Sequence, residues 1–283
     1  MKTNNTVFII LVLIVFVFTY DADAAAFRVE LAPKKIGPGD AFVIHVTGAR
    51  TTRPPSATLR KKKFYFSNCG RGCFIAIGTV DVQTKPGKYT VKVKVGKTKR
   101  AVRFTVKRTA FPKLKLSLPE DKVSLTQDAL DTVRDENERL KSIFQTISEK
   151  RWAGDFILPL ENEVSTPFGT KRIMNGEWIS LHRGLDIRGT EGEEVVASNG
   201  ARVALVGELF FGGHTVILDH GQGIYTIYMH LSKFQVNPDD IVSKGDVIGF
   251  VGSSGRSTGP HLHFGVKVSG ISVNPVSVIQ LKL

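Results

Sequence analysis

The chain has 283 residues, 42% of them hydrophobic and 23% charged, with a formal net charge of +13. That length gives room for two modest domains with cores of their own, and that hydrophobic share excludes wholesale disorder. The charge is uneven: residues 1–150 hold 28 Lys and Arg against 13 Asp and Glu, while residues 151–283 hold 11 against 13. A basic front half points to a polyanionic partner.

In residues 1–26, Lys2 is followed by VFIILVLIVFVFTY (7–20) and DADAAA, with small-residue cleavage sites such as Ala22-Asp23-Ala24. This reads as a secretory signal peptide. The apolar run is shorter than the ~20 residues of a spanning helix, so cleavage is expected over retention as an anchor. No second run of that length follows. The mature protein is expected to be soluble, exported and located in the periplasm or cell envelope. Export removes nucleic acid as the expected partner and leaves anionic envelope polymers or lipid headgroups, with a basic surface kept for solubility as the alternative.

Residues 27–107 read as short strands broken by turns. FRVEL (27–31), AFVIHV (41–46), KFYFS (63–67), FIAIG (74–78), YTVKVKV (89–95) and VRFTVK (102–107) are rich in β-branched and aromatic residues. Gly37-Pro38-Gly39, Pro86-Gly87 and Gly96-Lys97 mark turns. Six or seven strands in this length predict a small immunoglobulin-like β-sandwich. His45 reads as structural. In the exported setting, Cys69 and Cys73 of NCGRGC favour a short-loop disulfide over metal binding by two thiols.

Residues 108–125, rich in Lys and Pro, read as a linker. A connecting helix is expected over 126–150, capped by Thr126 or Ser124. Leu130, Val133, Leu140, Phe144 and Ile147 form its apolar stripe, expected to pack on a neighbouring domain. Residues 151–283 form a second β-rich unit, with strands at EVVASNG (194–200), HTVILDHG (214–221), IYTIYMHL (224–231), VIGFVG (247–252) and HLHFGVKV (261–268). The expected class is mainly β throughout.

Six of the seven histidines fall within residues 182–263. His261 and His263, two apart on a predicted strand, point the same way. His182 and Asp186 stand four apart in a segment that Gly184 and Gly189 mark as a turn or strand end. His230 closes YTIYMHL.

The order His182-x-x-x-Asp186, then His230 in YMHLS, then His261-x-His263 resembles the lysostaphin-like (LytM-type) zinc endopeptidases of peptidoglycan. STPFGTKR (165–172), GTEGEEVVASNGARV (189–203) and SKGDVIGFVGSSGRSTGPHLHFGV (243–266) share the likeness, which covers about residues 157–278. The resemblance implies zinc held by His182, Asp186 and His263, with His230 and His261 flanking the reacting water and scissile carbonyl. Two imidazoles and a carboxylate match the open ligand set of catalytic zinc. His261 is the slightly favoured general base, with the roles of the pair left open.

Tyr228, two residues from His230, is expected on the same face, lining the groove; Asn175 and Arg256 are expected to contact substrate or shape the cleft. His214 and His220 read as non-catalytic, and Phe168 and Gly169 as packing residues. The implied substrate is the peptide stem of peptidoglycan, cut by a monomer, with cross-links between D-alanine and a diamino acid favoured over glycine–glycine bonds. The alternative is a non-enzymatic peptidoglycan binder or an activator of another hydrolase.

Overall fold

The structure, a computed structural model, describes residues 27–116, 125–176 and 178–283. The signal-peptide segment and Ser124 lie outside these residues. Strands dominate what is described, accompanied by two helices.

The front unit consists of two sheets. One runs in the order Arg28–Ala32, Ala41–Thr47, Cys73–Thr79, Ser67–Gly70; the other in the order Lys35–Ile36, Thr98–Val106, Gly87–Val95, Ser56–Leu59, Lys62–Tyr65. Phe42, Ile44, Val46 and Phe74 of the first meet Val91, Val93 and Phe104 of the second in one buried cluster. Cys69 and Cys73 are joined by a disulfide.

The strands AFVIHVT and CFIAIGT carry apolar runs where a half-buried strand would alternate, because both of their faces are buried. Ala41, Val43, Ile75 and Ile77 turn away from the front core and join the core of the second unit, which includes Phe168, Val268, Val273 and Val278. Phe168 fixes this junction: a Cβ on Gly39 would lie 2.4 Å from its ring. Asn274 N donates to Gly39 O (2.8 Å), and Ala41 N to Ser277 Oγ (2.9 Å). Phe168 is thus the packing residue its sequence context suggested.

The second unit is built on a ten-stranded sheet. Its main path is Val164–Thr166, Leu185–Arg188, His261–Val268, Ile224–Phe234, Gly213–Gly221, Ala201–Leu209, Ile241–Val242. Leu185, Ile187, Tyr228, Leu262, Phe264 and Val266 fill one side of this sheet.

The structure adds detail to the segment between the units. Within the linker, Lys113–Leu116 pairs in parallel with Lys171–Met174, which forms a hairpin with Trp178–Leu181. The alternation in KLKL and the open edge of that hairpin outweigh the Lys- and Pro-rich composition. The helix, α1, spans Gln127–Gln145 and stops short of residue 150. Thr126 Oγ1 caps it by accepting from Ala129 N (3.3 Å). Thr146 turns extended and its carbonyl accepts from Tyr225 Oη (2.7 Å), which ends the helix. Leu140, Ile143 and Phe144 pack against Leu205, Ile217, Tyr225 and Ile227, so the C-terminal half docks as expected. Leu130 remains exposed.

His220 is buried in this unit, as a structural residue should be. Its Nδ1 lies 2.9 Å from Gly200 O and its Nε2 2.8 Å from Thr226 Oγ1. Burial pushes its pKa down to about 4 from 6.5. The unfolded chain therefore binds a proton that the folded one refuses, and this contribution to stability, complete above pH 6.5, is lost as pH falls toward 4. In thermal melts, the stability gap between wild type and His220→Gln is expected to narrow by about 2 kcal/mol between pH 7 and pH 5. A gap constant over that interval would contradict this assignment.

Candidate active site

Antiparallel pairing assembles the site. Asp186 and His263 are direct cross-strand partners, as are Arg188 and His261. Such partners have adjacent side chains on one face of the sheet. His182 follows the hairpin strand Trp178–Leu181 and is placed by its backbone, whose N–H donates to Thr170 O (2.9 Å) and whose carbonyl accepts from Gly169 N (2.8 Å). Gly169 itself has φ +82 and lies under Phe111, whose ring would be 2.3 Å from an added Cβ.

The three side chains converge. Asp186 Oδ1 lies 2.9 Å from His182 Nε2 and 2.8 Å from His263 Nδ1, and those two nitrogens are 3.1 Å apart. Burial opposes the Asp186 charge, but the polar groups around it, with His263 Nδ1 at 2.8 Å, outweigh burial and hold the carboxyl well below its ordinary range. Burial lowers the pKa of His263. His182 Nδ1 lies 3.1 Å from Pro167 O and donates to it, which turns the lone pair of Nε2 toward the Asp186 oxygen. Two lone pairs facing each other at this distance in a buried place repel unless a cation sits between them. The donor set therefore fits a small metal ion.

Two further imidazoles stand alongside. The ring of His261 is 4.8 Å from that of His230, and its Nε2 is 3.9 Å from Asp186 Oδ1. His230 Nδ1 donates to Ser254 O (2.9 Å), and His261 Nδ1 to Gly259 O (2.8 Å). Both therefore keep Nε2 available as a proton acceptor. Burial brings the pKa of His230 down to about 4, only partly offset by the bond to Ser254, so it is neutral at neutral pH.

Tyr228 does not line the groove. It is fully buried, its Oη bonds Ser198 Oγ (3.2 Å), and its ring packs on Phe264. The expected alternation fails because His230 adopts φ +63 and the pairing register shifts between His214 and Val216, which sit opposite Leu231 and Tyr228. This bulge turns His230 to the site face while Tyr228 stays on the core side. Asn175 (φ +49) and Gly176 form the tip of the hairpin 171–181. Arg256 holds its guanidinium 5.0 Å from the Phe210 ring and 5.7 Å from the Phe211 ring. His214 donates from Nδ1 to Ser232 O and packs on Phe234.

Two positioning residues are not marked by sequence spacing. Arg172, on the hairpin, donates to Asp186 Oδ2 (2.8 Å) and leaves Oδ1 to face the imidazoles. Ser254 takes the His230 proton donor on its carbonyl while its Oγ bonds Leu231 O (2.7 Å) and accepts from His214 N (2.9 Å). Gly184 is needed for space. A Cβ there would lie 2.6 Å from His263 Nε2 and 2.6 Å from the Phe264 carbonyl, and backbone cannot yield as a flexible side chain can. Gly184→Ala is expected to displace His263, destabilising the fold by about 1–3 kcal/mol and weakening metal affinity. Thermal melts and a metal titration check this; unchanged values in both would remove the role given to Gly184.

Three ligand-type side chains and two further imidazoles gathered in one place define a candidate metal-dependent hydrolase centre. Residues 180–275 match Peptidase family M23, and over them the chain carries an M23 domain. It is 42% identical over 115 residues to the DD-carboxypeptidase/endopeptidase Mpg of Neisseria meningitidis, covering 41% of this chain and 26% of that one. It is 38% identical over 96 residues to the peptidoglycan DD-endopeptidase ShyA of Vibrio cholerae, covering 34% and 22%. The matched part spans about a quarter of the length of these relatives. A crystal structure of a Pseudomonas aeruginosa protein assigned to the peptidase M23 class superposes with a TM-score of 0.66 at 28% identity, covering 86% of this chain and 94% of that one. That likeness extends into the front unit.

Proposed function

We propose that this protein is an exported zinc metalloendopeptidase that hydrolyses peptide cross-links of bacterial peptidoglycan. The observation that carries the reading is the convergence of His182 Nε2, Asp186 Oδ1 and His263 Nδ1 within 3.1 Å of one another, beside two imidazoles with Nε2 free to take a proton. The endopeptidase names of its relatives supply the class of bond.

His182, Asp186 and His263 would hold the zinc ion. When bound, zinc polarises a peptide carbonyl and acidifies a water molecule. The remaining work belongs to the chain. His261 Nε2, on the strand of a ligand, accepts the proton of the attacking water and returns it to the departing amine. His230, on the other side, holds its Nε2 lone pair toward the same space as a second proton acceptor, with Nδ1 fixed on Ser254 O. Their Nδ1 bonds to Gly259 O and Ser254 O hold both rings in place, so neither has to reorient during the reaction. Arg172 keeps the Asp186 carboxylate fixed.

The test is digestion of purified peptidoglycan by residues 27–283, with and without a chelator, and product masses read by mass spectrometry. Chelator-sensitive release of peptides cut at the D-alanine–diamino acid bond is the expected result. Intact cross-links in every sample, from protein shown to contain zinc, would sink the enzymatic reading and favour an activator or binder.

A further inference from the structure

The strand His261–Val268 carries one more functional type of side chain on the face that bears His261 and His263. Lys267 lies four residues beyond His263, about 13 Å along the strand at ~3.3 Å per residue. Gly265 leaves no side chain between them on that face.

The Lys267 ammonium is half-buried, 3.2 Å from Ser272 Oγ and 4.9 Å from the centre of the Phe144 ring. Among the described residues, no carboxylate forms an ion pair with it. Its charged neighbours are cations: burial first, then Arg183 and Lys62, bring its pKa down to about 8.

Clefts of about 600 Å³ open on either side of Lys267, at the junction of the two units. Lys61 and Lys62 line both. One adds Lys63 and Lys141, the other Arg60 and Arg183, and Asp81 is the one acidic residue among those lining them. Arg183 directly follows the ligand-type His182 in sequence, so the cleft and the site share a segment of backbone. A partly desolvated cation ringed by cations is destabilised until an anion arrives.

We propose that this junction cleft is an anionic subsite, in which Lys267, Lys62 and Arg183 bind free carboxylates of the acidic peptide whose cross-link is cut at the metal site. The proposal rests on the peptidoglycan reading above and adds where the substrate is gripped. An acidic peptide is favoured over a phosphate polymer because Arg183, which lines the cleft, adjoins His182, and Lys267 shares a strand with His263. A peptide held at the metal site therefore has further carboxylates within reach of the cleft. The cations are also spread along the junction, matching spaced carboxylates better than one compact phosphate.

The experiment measures binding by calorimetry to the zinc-loaded chain, residues 27–283. The probes are an uncross-linked stem tetrapeptide with free carboxylates, the same peptide with its carboxylates amidated, and inorganic pyrophosphate. The wild type is expected to prefer the free acid by ~10-fold, the scale of one charge-assisted contact. Lys62→Glu and Lys267→Met are each expected to reduce that preference to less than about threefold. Lys62 is exposed, so its variant tests the cleft even if Lys267→Met fails to fold. On cross-linked substrate, Lys62→Glu is expected to raise KM with kcat kept within about twofold. Because binding is read without turnover, a chain that prefers the acid peptide yet cuts nothing retains the subsite while losing the peptidase reading. Equal affinity for the two peptides, or a preference that survives both substitutions, overturns the proposal. So does pyrophosphate binding more tightly than the acid peptide in a manner lost with Lys62→Glu.

Discussion

His261→Ala is expected to lower kcat on cross-linked peptides by about 10²–10⁴-fold while the protein still binds one equivalent of zinc. The separation of these effects follows from geometry. His261 Nε2 stands 3.9 Å from Asp186 Oδ1, near the ligand cluster but outside the triangle of ligand atoms, and its Nδ1 is committed to Gly259 O. Removing it takes away a proton acceptor and leaves the donor set whole. His230→Ala should show the same pattern, since its Nδ1 is held by Ser254 O and its ring lies 6.2 Å from that of His263. The check is a paired determination of zinc stoichiometry and turnover for each variant. Zinc lost together with activity in His261→Ala would make it a ligand and undo the division of roles.

Asp186→Ala is expected to remove both zinc and activity, with metal affinity falling by more than ~100-fold. Loss of a residue that only supports a ligand costs 10–100-fold, and Asp186 is itself one of the three donors. It also sits at the centre of the cluster, taking His182 and His263 on one oxygen and Arg172 on the other. Without the carboxylate, Arg172 would face two imidazoles with no anion between them. Competition with a chromophoric chelator gives the affinity directly. Full zinc binding by Asp186→Ala would place the metal elsewhere.

Much of the site could be read from residue order because its geometry is simple where it matters most. Two histidines two apart on a strand share a face whatever the surrounding fold, and the structure keeps His261 and His263 on one face. The approach of Asp186 to His263 is a register contact between strands separated by more than 70 residues of chain, and only the family resemblance supplied it in advance. Tyr228 shows where the same period-2 argument fails. A bulge at His230, carried by a non-glycine residue with positive φ, reverses the faces on either side, and no glycine marks it.

The junction was harder to read. Apolar runs such as AFVI and FIAI fit a strand with one or two buried faces, and length alone does not decide. The structure shows two buried faces, so the front unit is fused to the M23 domain through a shared core. Residues 151–283 alone would expose the surface that Ala41, Val43, Ile75 and Ile77 cover. The strand Lys113–Leu116 was obscured by lysines and prolines, and Arg172 by the fact that a salt bridge across 14 residues has no sequence period.

Zinc-dependent catalysis at the His182–Asp186–His263 cluster is tested by titrating zinc into metal-free protein, residues 27–283, and following the rate of cross-link cleavage at each point. No cleavage is expected at zero zinc, followed by a linear rise that stops at one equivalent, and no rise is expected at any zinc level for Asp186→Ala. Cleavage by the metal-free protein, or the same rise in Asp186→Ala as in wild type, would contradict zinc-dependent catalysis at this cluster.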